Sequence, residues 1–486
     1  MPYRVLFVSA EYAPLAKTGG LADVSAALTR DLHRRGHDVR VFLPLYRGIA
    51  AQRPDLVPVD YLQDLVLSLG SHAYRYRVLT GSAPGSDLRL YFVDCPALYD
   101  RDGIYGDTED ESRRFLLLTR AAFDCAQRMA FAPHVLHCND WHTAFGPLLL
   151  KTTYAWDQLF AATRSVLTIH NIAYQGVFGA AHASELGLGD ASWLLHQQDL
   201  ADGRVNSLLH GVMYADLVTT VSPTYAREIC TPQFGAGLDG FLRARGARVV
   251  GILNGVDYDE WDPAHDAHLP VPYDRANLAG KTTARHALAE RTGLALGAGT
   301  MLYGLVSRLV GQKGIDLMIS TLPAFLRRHD AALVVLGSGE VRYEAFFAAL
   351  AREFPGRVAF NRGYDEPLAH GIEAGADAFL MPSQYEPCGL NQLYSLRYGT
   401  PPLVRRTGGL ADSVRHYDRA DGRGTGIVFD PYDAASFAWA LDYATGLFQE
   451  PAHWRRLVAN GMAEDYSWDV QGALYIDEYA KLVGPV

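Results

Sequence analysis

The residues of this chain with the most chemistry to offer fall in short polar clusters, each placed directly after an apolar run. HCNDWH (137–142) follows the run at 135–137, HNIAYQG (170–176) the run at 165–169, and NGVD (254–257) the run at 249–253. SRLVGQKG (307–314) follows 301–306, and SQYEPCG (383–389) follows 378–381. Arg308 and Lys313, five apart across a glycine-containing loop, offer a guanidinium fork and an ammonium point charge, the combination that suits a diphosphate. The same two residues also read as a solvated loop face. Twice the chain carries a cation, then Thr-Gly-Gly, then a helix-like segment: KTGGLAD from Lys17 to Asp23 and RTGGLAD from Arg406 to Asp412. Paired glycines let backbone N–H groups approach a ligand, and a helix N-terminus favours negative charge, so both turns read as anion-facing. A tight strand-to-helix connection is the plainer alternative. His170, one residue past an apolar run with Asn171 and Gly176 beside it, is expected in a site rather than as a satisfied core histidine.

Metal chemistry is not expected. His134, His137 and His142 come without a complete ligand set of recognised spacing. Asp100-Arg101-Asp102 and Asp257-Tyr258-Asp259 match the degenerate DxD pattern of some metal-dependent sugar-nucleotide enzymes, but such tripeptides are common.

These clusters need elements that hold them at one end of a sheet. Residues 3–9 read as a buried strand, 22–35 as a helix stopped by Gly36, and 38–43 as a second strand, which makes a βαβ unit. The glycines do not spell GxGxxG, so the ligand class is wider than dinucleotides. Strand-like runs at 135–137, 165–169, 217–221 and 249–253 alternate with helical segments such as 111–129 and 143–153, and a parallel sheet with helices on both faces accommodates them. Residues 262–298 break the rhythm and read as a linker region. Alternation restarts with strands at 301–306, 332–336, 358–361, 378–381, 402–405 and 426–429, a second doubly wound sheet. A last helix is expected over 468–482, with Val470, Leu474, Ile476, Tyr479 and Leu482 on its apolar face. The expected fold is α/β: two doubly wound Rossmann-like domains, 1–250 completed by 466–486, and 251–465, facing a deep cleft beyond the carboxyl ends of their strands.

Composition agrees with this reading. A chain of 486 residues exceeds the size at which one core keeps growing, so two domains are the default. With 49% hydrophobic and 20% charged residues it has the balance of a soluble globular protein. A formal charge of −10 argues against nucleic-acid binding by bulk electrostatics. Five scattered cysteines without CxxC spacing indicate neither disulfides nor zinc, and reduced cytoplasm fits them. The N-terminal apolar run is strand-length and lacks a cleavage pattern, and no run reaches the ~18 apolar residues of a membrane helix.

Taken together and in this order, KTGGLADV, HNIAYQG, TTVSPTYAREI, NGVD, SRLVGQKG, PSQYEPCGLNQLYSLRYGT and RRTGGLADSV resemble the bacterial glycogen/starch synthases, over nearly the whole chain. That resemblance implies the GT-B fold and transfer of glucose from ADP-glucose to the non-reducing end of an α-1,4-glucan with retention of configuration. It places His170 at the glucose 6-hydroxyl, Glu386 on glucose hydroxyls, and Arg308 with Lys313 on the phosphates as the catalytic set. It places Lys17 and Gly20 at the donor diphosphate and Tyr364 against adenine, with Asp23, Asn254, Cys388, Gly389, Leu390, Thr407, Gly408 and Gly409 also on the donor side. Asp140 and His142 match the acceptor-side motif. No metal or other cofactor, no nucleic acid and no membrane partner is implied. The wider superfamily often has a second glutamate eight residues after the first; here that position is Tyr394, which removes a ribose-binding carboxylate. A UDP-glucose or small-acceptor enzyme of the same fold, and a non-catalytic glucan-binding protein, remain open at this point.

Overall fold

The computed structural model describes residues 2–484. Its contacts divide the chain into two compact units: Met1–Val221 with Ala226–Gly255 and Trp468–Val486, and Ser222–Tyr225 with Val256–Ser467. Residues 1, 485 and 486 of the expected domain ranges lie outside the described residues.

The first unit is built on strands β1 (Arg4–Val8), β2 (Asp38–Pro44), β3 (Val57–Pro58), β4 (Leu65–Leu69), β5 (His72–Ser82), β6 (Arg89–Asp94), β7 (Val135–Asn139), β8 (Arg164–Ile169), β9 (Val177–Gly179), β10 (Arg204–Asn206), β11 (Leu217–Thr220) and β12 (Val249–Gly251). The main sheet runs β12-β11-β8-β7-β1-β2-β6-β5-β3, with β4 on β5, and β9 pairs with β10 separately. Strands from β12 to β6 are parallel, and Val5, Leu6, Phe7 and Val8 of β1 are fully buried. The wholly parallel expectation needs correction at the other edge, where β3, β4, β5 and β6 pair antiparallel. Their side chains alternate, Leu65, Leu67 and Leu69 inward and Val66 outward, as in a sheet with one wet face.

The helix expected over 143–153 is two short ones, Asp140–Thr143 and Gly146–Lys151, because Pro147 lacks an N–H and starts a new helix. The last helix, Trp468–Val483, lies against the helix Gly20–Arg34 of the first unit. Its inward face is Trp468, Gln471, Gly472, Tyr475 and Tyr479, whereas Val470 and Leu474 are 42% and 43% exposed. The expected apolar face is therefore rotated. A Cβ at Gly472 would overlap the Asp31 carboxylate, and the buried Tyr479 hydroxyl lies 2.6 Å from His137 Nδ1, so close approach and a buried hydrogen bond decide the face rather than hydrophobicity.

The second unit carries β13 (Met301–Val306), β14 (Ala331–Gly337), β15 (Val358–Arg362), β16 (Ala378–Met381), β17 (Pro402–Arg405) and β18 (Ile427–Phe429), all parallel, in the order β15-β14-β13-β16-β17-β18. Residues 262–298 are not a linker. Tyr273 donates to the Tyr398 carbonyl at 2.8 Å, Arg397 pairs with Asp262, and Lys281 Nζ donates to the Ala374 carbonyl at 2.8 Å and Thr400 Oγ1 at 2.6 Å. The segment lacks periodicity because Asp262, Asp266 and Asp274 fold it by accepting N–H groups two or three residues on, as in Asx turns.

Among its parallel strands each main sheet has one place where chain order reverses: between β1 and β7 in the first unit, and between β13 and β16 in the second. Open α/β sheets bind ligands beyond the carboxyl ends of their strands at such a reversal.

Candidate active site

In the first unit the loop after β1 is governed by Glu11, which is 3% exposed. Its Oε2 accepts the N–H groups of Thr18 (2.7 Å) and Gly19 (3.2 Å), while Oε1 accepts the hydroxyls of Thr18 (2.6 Å) and Tyr105 (2.5 Å). The Tyr105 ring stacks on His142 at 4.9 Å. Thr18 and Gly19 N–H are thus committed to an internal carboxylate. The expectation of an anion-facing backbone fails at those two positions, and Lys17 is the group this turn presents. Lys17 Nζ pairs with Asp23 at 2.7 Å; burial raises the Asp23 carboxyl, against the pull of Lys17. Gly20 opens the helix that follows. Glu11→Ala is expected to destabilise this unit by about 2–3 kcal/mol, since it strips charge-assisted acceptors from several donors. Urea unfolding of the variant checks this, with Glu11→Gln expected to lose less.

On the other side of the reversal, after β7 and β8, stand Asp140, His142 and His170. Asn139 Nδ2 donates to the Val8 carbonyl at 3.1 Å, which turns its Oδ1 toward His170 Nε2 at 3.0 Å. Nε2 therefore carries the proton, and the buried Nδ1, which has no hydrogen-bond partner, is an acceptor. Burial pushes the His170 pKa down to about 3, so the ring is neutral at pH 7. Asp140 adopts a left-handed backbone, φ 52°, which costs energy for a non-glycine residue. That geometry aims its Oδ1 at the N–H groups of His170 (2.7 Å) and Asn171 (3.4 Å). Burial pushes the Asp140 carboxyl up to about 7, with those two N–H groups opposing. His142 is also buried, its pKa driven well below the usual value by desolvation. Asn254 follows β12 and is 4% exposed, with Oδ1 buried and unpartnered.

The side chains of the metal readings have other neighbours. His134 Nδ1 accepts the Arg4 N–H, His137 is enclosed by Tyr479 and Thr168, and His142 lies among aromatic rings. Arg47 donates to both Asp100 and Asp102 at 2.7 Å, and Asp257 Oδ1 accepts the Asp259 N–H at 3.1 Å.

In the second unit the loops after β13 and β16 are joined. Gly314 has φ 76°, and a Cβ there would overlap the Pro382 carbonyl. Gln384 N–H donates to the Gln312 carbonyl at 2.8 Å and Gln312 Nε2 to that of Tyr385 at 3.2 Å. This brings Lys313 Nζ to 2.6 Å from Glu386 Oε2, an oxygen that also accepts the Ser383 hydroxyl at 3.0 Å. Glu386 is 5% exposed, and Arg308 is exposed on the same loop as Lys313. The second Thr-Gly-Gly turn differs from the first. Gly409 N–H donates to the carbonyls of Glu386 (3.1 Å) and Pro387 (3.2 Å), and Cβ atoms on Gly408 and Gly409 would overlap the Glu386 and Cys388 carbonyls. These glycines, beside buried Thr407, let a helix start pack against the 386–388 backbone, the alternative that the sequence left open. Cys388 is buried, Gly389 has φ 73°, Leu390 is half-buried, and Tyr364 presents a 69% exposed ring.

Lys17, Gly20, Asp23, Asp140, His142, His170 and Asn254 belong to the first unit. Arg308, Lys313, Tyr364, Glu386, Cys388, Gly389, Leu390, Thr407, Gly408 and Gly409 belong to the second. Sequence reasoning missed Glu11 and Tyr105, and gave Asn139 and Ser383, which lie inside the quoted clusters, no role of their own. Glu11 carried the same signal as the other clusters, a polar residue just past a buried strand, but without polar neighbours to draw attention.

Residues 4–244 match the model of the starch synthase catalytic domain, and residues 290–456 that of glycosyl transferases group 1. A glycogen synthase of Anaeromyxobacter dehalogenans is 46% identical over 484 residues, covering 99% of both chains. The chain belongs to the glycogen and starch synthase family. A glycogen synthase of Thermotoga maritima is 40% identical over 486 residues, again covering 99% of both. Among solved structures, the catalytic domain of starch synthase IV from Arabidopsis thaliana, bound to ADP and acarbose, matches this synthase with TM-score 0.88 and 34% identity over the full length of both chains. Sucrose-phosphate synthase from Thermosynechococcus elongatus, 17% identical with TM-score 0.62 over 99% of both, shares the fold. The synthase is a glycosyltransferase of the GT-B type, acting on a nucleotide-sugar donor and a glucan acceptor. No helix among its described residues is long and apolar enough to cross a membrane.

Proposed function

We propose that this synthase transfers the glucosyl group of ADP-glucose to the non-reducing-end 4-hydroxyl of an α-1,4-glucan with retention of configuration, and that it does so without a metal. The observation that carries this reading is the Lys313–Glu386 pair, 2.6 Å apart across the strand-order reversal of the second sheet. It sets a cation and a sugar-binding carboxylate side by side where such sheets bind ligands. The bound ADP and acarbose of the Arabidopsis relative support the choice of nucleotide and acceptor class.

Breaking the anomeric C–O bond builds positive charge on the sugar and one further negative charge on the departing diphosphate. Lys17, Arg308 and Lys313 act on that diphosphate, where charge develops. Glu386 binds glucose hydroxyls, and the unprotonated Nδ1 of His170 accepts the 6-hydroxyl proton in a hydrogen bond. Retention through a covalent intermediate needs a carboxylate beneath the anomeric carbon. Asp140, the acid beside His170, turns its Oδ1 to backbone N–H groups, which supports a front-face course. In that course C1–O(phosphate) breaks as C1–O4 forms, and the acceptor's hydroxyl proton passes to the leaving phosphate.

Incubation with glycogen and either ADP-glucose or UDP-glucose in EDTA, following nucleotide release, tests the proposal. Expected is ADP release with kcat/KM at least tenfold above the UDP-glucose value. Preference for UDP-glucose, or turnover only with small acceptors, overturns the donor or acceptor assignment. Glu386→Gln should lower turnover by about 10–100-fold, the worth of a charged hydrogen bond, while ADP affinity holds, because Lys313 is released rather than removed. Calorimetry of ADP binding beside steady-state kinetics separates the two; loss of both together would make Glu386 a support for Lys313 instead of a sugar ligand.

A further inference from the structure

One group of metal-ligating side chains lies outside the residues used above. Glu366 and His370, four apart, share one face of the helix Glu366–Gly375, whose start is fixed by the Asp365 cap and Pro367. Glu260 comes to them from the segment after NGVD, where the N–H groups of Glu260 and Trp261 both donate to the Asp257 carbonyl. One carboxylate oxygen from each glutamate and one nitrogen of His370 lie within 4.8 Å of one another.

The histidine is prepared for a ligand. It is 1% exposed, and its ring is held by Trp261, stacked at 3.8 Å and 12°. Nδ1 lies 2.8 Å from Asp266 Oδ2, and the same oxygen accepts the Tyr398 hydroxyl at 2.6 Å. A carboxylate there places the ring proton on Nδ1 and leaves the lone pair on Nε2. That nitrogen is buried and has no hydrogen-bond partner. A carboxylate–histidine pair with the outer nitrogen unprotonated is the arrangement that orients imidazole ligands toward metals. Both glutamates are exposed, which provides an entry path, and their negative charges at this spacing favour a cation between them.

The geometry points to a divalent transition-metal site formed by His370 Nε2 and the carboxylates of Glu260 and Glu366. An imidazole with two carboxylates suits Zn²⁺ or Mn²⁺, whereas Mg²⁺ and Ca²⁺ prefer all-oxygen sets. Water completes the coordination. The ion fastens the 256–262 segment to the helix Glu366–Gly375 within the second unit. Its role is structural, and the metal-independent chemistry proposed above does not depend on it.

Isothermal titration of the full chain with Zn²⁺, after chelator treatment and dialysis, tests this. His370 is buried and its replacement risks the fold, so the exposed glutamates carry the test. One site in the micromolar range or tighter is expected, weakened at least tenfold in Glu260→Gln and in Glu366→Gln. Zn²⁺ should raise the melting temperature of the unaltered chain and not that of the double variant. A zinc anomalous peak among the three side chains in a soaked crystal would agree. Zn²⁺ binding by the double variant equal to that of the unaltered chain, or no saturable binding at micromolar Zn²⁺, overturns the site. Mg²⁺ or Ca²⁺ displacing Zn²⁺ at equal concentration overturns the transition-metal assignment.

Discussion

Lys313→Ala is expected to lower kcat for glucosyl transfer by about 10²–10³, and the residual activity should be the same with and without EDTA. One preorganised donor at a developing oxyanion is worth roughly 2.7–4 kcal/mol, which converts to that factor. Lys313 is held by Glu386 more than by solvent, its side chain only 20% exposed. Little reorganisation is needed when the phosphate charge grows. Removing the ammonium also leaves the Glu386 carboxylate, 5% exposed, with the Ser383 hydroxyl, so stability must be followed beside rate. A melting curve for the variant and kcat at saturating ADP-glucose keep the two apart. Near-normal turnover in Lys313→Ala, with activity lost to chelator and restored by Mg²⁺ or Mn²⁺, would transfer the work to a metal and end the cation-clamp account.

Arg308→Ala should cost a comparable factor in kcat, for a different reason. Arg308 is exposed and its guanidinium makes no ion pair among the described residues, so no carboxylate among them competes for its fork. A planar two-donor group on a diphosphate is poorly replaced by water or by lysine. Arg308→Lys should therefore recover only part of the loss. Because both cations act on one leaving group, the double variant should lose less than the product of the single losses. A strictly multiplicative loss would mean that the two residues serve separate steps.

Much of the candidate site was legible in the sequence because strand ends are. A buried run followed by Ser-Arg-Leu-Val-Gly-Gln-Lys or Ser-Gln-Tyr-Glu-Pro has few purely structural explanations, and the strand-order reversals lie beside those loops. The two Thr-Gly-Gly turns show where legibility stopped. Their sequences match, yet one is tied to Glu11 and the other to the carbonyls of Glu386 and Pro387; the distinction lies in partners outside the motif itself. Alternation of inward and outward residues in β4 and β5 hid the 57–94 antiparallel edge, and distant partners hid the integration of 262–298, whose ties run to Arg397, Tyr398 and Thr400. Val470 and Leu474 were assigned inward by hydropathy, but Gly472 and Tyr479 decided the face by shape and hydrogen bonding.

The closing helix of the first unit is synthesised after the whole of the second unit. Residues 256–467 are synthesised between the final strand of that unit and Trp468, an interval on the order of 10–40 s at about 5–20 residues per second. Throughout that time the nascent sheet lacks the cover of Tyr475 and Tyr479, and His137 has no Tyr479 hydroxyl to meet. The second unit, continuous apart from 222–225, is complete in sequence before the first one is. The unit that is begun first is therefore the one completed last. A message truncated after residue 467 would yield a finished second unit tethered to a first unit with an uncovered apolar surface, a species prone to chaperone capture and aggregation.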